Sequence, residues 1–126
     1  MKAKCVYQKP LTFHDLGDGT YHYNYNVKSV IEKDPQTQTE TPTFKYDQVI
    51  IHGTPTYNKI VAAVIRDKYT IDKELSLINN YNLYQQDAAK QDVKALTEYK
   101  TYLAERESIK EFVKKDCADY GILIEE

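Results

Sequence analysis

In 126 residues, 17 basic side chains are scattered from Lys2 to Lys115 among 19 acidic ones, giving a formal net charge of −2. No single-sign field exists to draw in a phosphate backbone, so generic nucleic-acid binding is excluded. The opening "MKAKCVYQKPLTF" has no long apolar run after its basic residues, and no 18 consecutive apolar residues occur anywhere, so the expectation is one soluble cytoplasmic domain with no signal peptide and no membrane partner.

Cys5 and Cys117 are the only cysteines. Two residues near opposite ends supply neither a disulfide framework nor a metal-site spacing, and free buried thiols are expected. Composition changes along the chain. Residues 1–53 are rich in Thr, Tyr, Val and turn formers, as strands are, whereas residues 54–118 are rich in Ala, Leu, Ile, Glu and Lys at helical spacing.

In chain order, "HDLGDGT" sets two glycines beside aspartates and predicts a hairpin joining a strand near Ala3 to Gln8 to the next strand. That next strand, "GTYHYNYNVKSVIEKD", alternates. Tyr21, Tyr23, Tyr25, Val27, Ser29 and Ile31 fall on one face, while His22, Asn24, Asn26, Lys28, Val30 and Glu32 fall on the other. A tyrosine row of this kind suits a sheet face covered by helices better than a base-stacking surface, which needs interleaved basic residues. "DPQTQTETPT", residues 34–43, reads as a mobile loop because it is polar and holds two prolines. "FKYDQVIIHG" then reads as a central strand, Phe44 to Gly53.

Thr54 and Pro55 form the sharpest helix start, as N-cap and first helical residue, ahead of the stripe Ile60, Val61, Val64 and Ile65. Thr70 either caps a second helix carrying Leu75, Ile78 and Tyr81 or lies inside one long helix; a short break is preferred, with fraying at "INNYN". The longest helix is expected from about Asp87 or Gln91 to Asp116. Its stripe is Ala95, Tyr99, Tyr102, Ile109 and Val113, widened by Leu96, Leu103 and Phe112. Arg106 lies on the same stripe, either snorkelling to water or to Glu105 or Asp72, or holding a partner's carboxylate. In the tail 119–126, Gly121 is a stop, and Ile122, Leu123 and Ile124 are apolar enough to dock on the domain or on another chain.

Chemical motifs are sparse. His14, His22 and His52 lack ligand spacing, although His22 and His52 could meet across neighbouring strands; "DLGDG" lacks the alternating carboxylates of a calcium loop. No phosphate loop, nucleophile elbow or Cys-His pair is present, so no catalytic, cofactor or metal residue is assigned.

The runs Tyr46 to Asn82 and Glu98 to Asp116 resemble small uncharacterised phage and prophage proteins. They are similar in layout to the C-terminal part of phage tail-fibre assembly proteins, in which an apolar helix bearing Arg-x-x-aromatic precedes a helix with a Tyr-x-x-x-Leu-x-x-x-Arg style pattern, here approximated by Tyr99, Leu103 and Arg106. The expected architecture is a single α+β domain: an antiparallel sheet of three or four strands followed by two or three helices packed on one face. The resemblance implies a non-enzymatic protein-interaction module, a phage or prophage structural or tail-assembly protein, in the host cytoplasm or within the finished particle. The alternative is a small ligand-binding or regulatory domain, and a small enzyme comes third. The expected interface is Tyr99, Tyr102, Arg106, Phe112, Ile122, Leu123 and Ile124, facing a second copy of the chain or another assembly protein.

Overall fold

The computed structural model describes residues 1–6, 8–86 and 93–124, the side chains of Cys5 and Val6 excepted. Strands β1 (Lys2–Val6), β2 (Phe13–Asp15), β3 (Thr20–Lys33) and β4 (Glu40–His52) form one antiparallel sheet in the order β1-β4-β3-β2. Helices α1 (Tyr57–Lys68), α2 (Ile71–Gln86) and α3 (Val93–Tyr120) follow. The α+β layout read from the sequence is the one observed.

The first hairpin differs in its partner. Asp15 and Asp18 accept from the backbone N–H groups of Gly17 and Thr20 at 2.8 and 3.1 Å, and both glycines of the turn take positive φ, 81° at Gly17 and 87° at Gly19. So tight a turn pairs its immediate flanks, Phe13–Asp15 with Tyr21–Tyr23. The strand expected to fill that place, β1, instead pairs with β4 at the opposite edge. The chain returning to β2 is fastened by Asn24, which is buried. Its side-chain amide donates to the Leu11 carbonyl at 2.7 Å and its carbonyl accepts from Gln48 at 2.8 Å. Asn24 and Gln48 face each other across β3 and β4, on the side of the sheet opposite the tyrosines.

A bulge divides β3. Tyr25 lies opposite Asp47 and Lys28 opposite Lys45, so Asn26 and Val27 together face Tyr46. Asn26 adopts φ 52°, a left-handed conformation that asparagine tolerates, and donates to Asp47 Oδ2 at 3.0 Å. The extra residue exchanges the two faces of all that follows. Ile31, expected beside the tyrosines, is 67% exposed on the opposite face.

The loop 34–43 is also shorter than expected. Glu40 to Thr43 belong to β4, paired with Val30 to Lys33, and Thr43 is buried with its hydroxyl donating to the Val30 carbonyl at 3.0 Å. Polar threonines have high strand propensity, which a hydropathy reading overlooks. Pro42 is accommodated on the β1 side of β4, where the pairing seen among the described residues reaches Thr43.

The cap of α1 is Thr56, whose hydroxyl accepts from Lys59 N at 3.4 Å; Thr54 and Pro55 precede it. The helix starts late because Tyr57 N donates to Leu123 O at 2.8 Å, within a parallel bridge between Thr56 and Leu123. The break between α1 and α2 is real: Tyr69 is extended, and Thr70 Oγ1 accepts from Lys73 N at 3.1 Å. Fraying at "INNYN" does not occur, since Asn79 and Asn80 point to solvent and α2 continues to Gln86. The expected helix start at Asp87 or Gln91 lies outside the described residues.

Tyr23, Tyr25, Val49 and Ile51 of the sheet meet Ile60, Val64 and Ile65 of α1 and Ile109, Val113 and Cys117 of α3. The Cys117 thiol is free, and burial followed by the nearby Asp116 charge raises its pKa. Four rings run through this core in stacked contacts: Phe13 on Tyr23 at 5.0 Å, Tyr23 on Tyr25 at 5.3 Å, and Tyr25 on Phe112 at 5.7 Å. Tyr23 is fully buried, and its hydroxyl donates to Asp116 Oδ2 at 2.6 Å. The tyrosine row is core.

Tyr23→Ser should therefore destabilise the domain by about 3 to 5 kcal/mol, and Tyr23→Phe, which strands only Asp116, by about 1 to 2 kcal/mol. Urea denaturation midpoints check both; a Ser variant as stable as the parent contradicts the core assignment.

Candidate functional site

The apolar stripe of α3 was expected to leave an open face. Most of it is covered by the chain itself. Tyr102 is 1% exposed, Phe112 lies on Tyr25, and Ile122 and Ile124 pack against the core. Gly121, at φ 69°, turns the chain so that Ile122 N donates to Cys117 O at 2.9 Å, which folds the tail back onto its own domain. Of the expected interface residues, Leu123 is the one whose side chain is largely exposed, at 64%. The reason is geometric: 28 residues give α3 a length of about 42 Å, so its C-terminal half lies on the sheet while its N-terminal half extends to pair with α2.

Along that upper half the tyrosines face each other. Tyr99 stacks on Tyr81 at 4.1 Å and 10°, and Tyr69 meets Tyr102 edge-on at 5.0 Å. A polar junction joins the three helices below them. Tyr102 donates its hydroxyl to Glu74, Arg66 reaches Glu74 Oε1 at 2.6 Å, and Tyr69 donates to Glu105, which also meets Lys68 at 3.4 Å. Arg106 is held inside the chain, its guanidinium 5.6 Å above the Tyr102 ring rather than on Glu105 or Asp72. Its Nε is buried without a hydrogen-bond partner among the described residues.

Each carboxylate here has a cationic partner, Glu74 in Arg66 and Glu105 in Lys68, and the junction is a structural clasp. Hydrogen bonds from Tyr102, then from Arg66, hold the Glu74 carboxyl below its ordinary pKa. Burial, then the same bond to Glu74, pushes the Tyr102 hydroxyl up.

A cleft of about 430 Å³ opens where the helices end on the sheet, lined by Tyr25, Asn26, Asp47, Asp67, Lys68 and Glu105 among others. Its carboxylates are already engaged: Asp47 with Lys2 at 2.6 Å and with Asn26, Asp67 with the Met1 amino group at 2.5 Å, and Glu105 with Lys68 and Tyr69. Burial alone would raise the Asp47 pKa, but the bonds from Lys2 and Asn26 bring it below its ordinary value. His22 lies opposite Ile50 rather than beside His52, and its ring meets His14 at 6.1 Å. Among the described residues no three His, Cys, Asp or Glu side chains are grouped to hold a metal ion, and no helix is long and apolar enough to cross a membrane.

One part of the sheet lies beyond the helices, at its far end. Residues 28–33 of β3 and 40–45 of β4 contribute nothing to the core cluster. Beyond the bulge, the face that would meet helices carries Lys28, Val30 and Glu32 with Lys45 and Lys4 beside them, and Glu32 takes Lys4 at 2.7 Å and Lys45 at 3.8 Å. Because β2 pairs only with Tyr21 to Tyr23, β3 from Lys28 to Lys33 has a strand neighbour on one side only, among the described residues. This arm is therefore an open edge. Sequence alone does not single it out; the one signal is a lysine and a glutamate of the same strand parity, equally spaced about Val30.

Glu74 gives a test of the clasp. Its folded pKa is depressed, so its contribution is complete above the unfolded value of about 4.3 and is lost as pH falls through the folded value. Glu74→Gln should lower stability at pH 7 by about 1 to 3 kcal/mol and flatten the fall in stability below about pH 5; thermal unfolding of both proteins from pH 7 to pH 3 reads this directly, and parallel curves contradict it. No family model, curated protein or solved structure matches this chain, which leaves the geometry described above to indicate function.

Proposed function

We propose that the protein is a non-enzymatic interaction module of phage or prophage particle assembly, acting in the host cytoplasm, and that its working surface is the open sheet arm rather than the C-terminal helix and tail. The observation that carries the proposal is the β3 edge from Lys28 to Lys33, which has no strand neighbour among the described residues and extends past both the core cluster and β2. An exposed strand edge offers a row of backbone donors and acceptors, and a partner strand can be added to it without rearrangement of the fold. Ile31 lies on this arm, 67% exposed. The paired charges of the cleft and the clasp support a binding role over a catalytic one, because each carboxylate already has a partner. The phage setting follows from the resemblance of Tyr46 to Asn82 and Glu98 to Asp116.

Density-gradient fractionation of lysates from the native source should place the protein with tail or precursor particles. Ile31→Asp, at an exposed position, should release it at least several-fold while its circular dichroism stays unchanged. A protein found free of particles at every stage of assembly overturns the proposal.

A further inference from the structure

We propose that the occupant of the β3 edge is a second copy of the same chain, paired antiparallel about Val30 to give a two-fold dimer with a continuous eight-stranded sheet. This rests on the interaction-module reading and names its partner. In a closed two-fold pairing of antiparallel edges both copies keep their helices on the same side, so facing residues must share strand parity. The allowed registers within the arm are therefore centred on single residues. Centring on Val30 sets Lys28 of each copy opposite Glu32 of the other, twice, with Val30 meeting its own equivalent between them. Ser29 and Ile31 then face each other on the opposite side. Centring on Ser29 sets Glu32 against Asn26 and forms no ion pair; centring on Ile31 sets Glu32 against Val30 and brings Lys28 to Asp34, which lies past the end of β3 and whose carboxylate already accepts from Gln36 N at 2.8 Å.

The other long edge, β1, lacks this property. Centring on Ala3 sets Lys2 against Lys4, and centring on Lys4 sets it against itself, which like charges oppose. Charged residues on an edge ordinarily discourage pairing. On β3 the two signs sit four residues apart, so reversing the strand brings opposites together. Lys28 has a further reason to seek a carboxylate, since within its own chain it lies directly opposite Lys45.

Sedimentation equilibrium of the full chain should give twice the monomer mass, with association weakening as salt rises. Lys28→Glu sets glutamate against Glu32 at both ends of the pairing and should weaken the dimer by about ten-fold or more. It should not harm the fold, because it replaces the internal Lys28–Lys45 apposition with an attractive one. Combining it with Glu32→Lys should restore association. In a Cys5→Ala background, Val30→Cys should form a disulfide-linked dimer on mild oxidation, whereas Ser29→Cys and Ile31→Cys should not. A wild-type monomer at all concentrations, a dimer indifferent to Lys28→Glu, or cross-linking through residue 29 or 31 instead of 30 overturns the proposal. A monomer that still fractionates with particles overturns the dimer alone and leaves the assembly role standing.

Discussion

One extra residue in β3, between Tyr25 and Lys28, decides which side chains meet the helices and which meet water. Before it, Tyr23 and Tyr25 point at α1 and α3 and close the core. After it, the same side of the sheet is held by Lys28, Val30 and Glu32, a set that no helix could cover without stranding charge. The bulge thus ends the hydrophobic layer at a defined place and turns a single 14-residue strand into a covered half and an open half. Asn26 holds the geometry with its left-handed backbone and its bond to Asp47, and Asp47 in turn anchors Lys2 of β1. Core, arm and edge strand all depend on that one turn of backbone.

The second organising element is α3, which serves two unlike layers. Near its C-terminus it meets the sheet through Phe112, Val113, Asp116 and Cys117, with dispersion and a half-buried hydroxyl-carboxylate bond. Near its N-terminus it meets α2 through rings and shared carboxylates, as in Tyr99 on Tyr81 and Tyr102 on Glu74. The α2 contact is the more polar of the two and carries the charge-matched clasp, so its strength depends on the ionisation of Glu74. The sheet contact draws mainly on buried apolar area, with the Tyr23–Asp116 bond beside it.

Helix phase was legible in α1 and α3, where apolar residues recur every three or four positions, but not in α2, where Leu75 of the expected stripe is 52% exposed and Leu77 is buried instead. Ile60, Val64 and Ile65, then Ile109 and Val113, are buried where the period places them. The face of Tyr23 and Tyr25 was legible for the same reason, at a period of two. Strand order was not, because the pairing of β1 with β4 joins residues some forty apart and leaves no local mark. The bulge was hidden because neither Asn26 nor Val27 is a glycine and the alternation of side chains runs on unbroken in the sequence. Arg106 and Tyr102 could be placed on a stripe, yet whether that stripe faced a partner or α2 depended on Tyr69 and Tyr81 being turned towards it, which only the folded chain specifies. The open arm escaped notice because its defining property is a strand with a neighbour on one side only among the described residues, which no local pattern records.

The bond from Tyr23 to Asp116 spans 93 positions of sequence. During synthesis at about 5 to 20 residues per second, Tyr23 leaves the ribosome roughly five to twenty seconds before the Asp116 that will cap its hydroxyl. For that interval Tyr23, Val49 and Ile51 face water or a chaperone, beside two strand edges with nothing yet packed over them. The lysines and glutamate of the arm are already in place during that interval, and charges on a strand edge disfavour the addition of unlike strands. Vectorial synthesis thus gives the charges of β3 a use even before the molecule is complete.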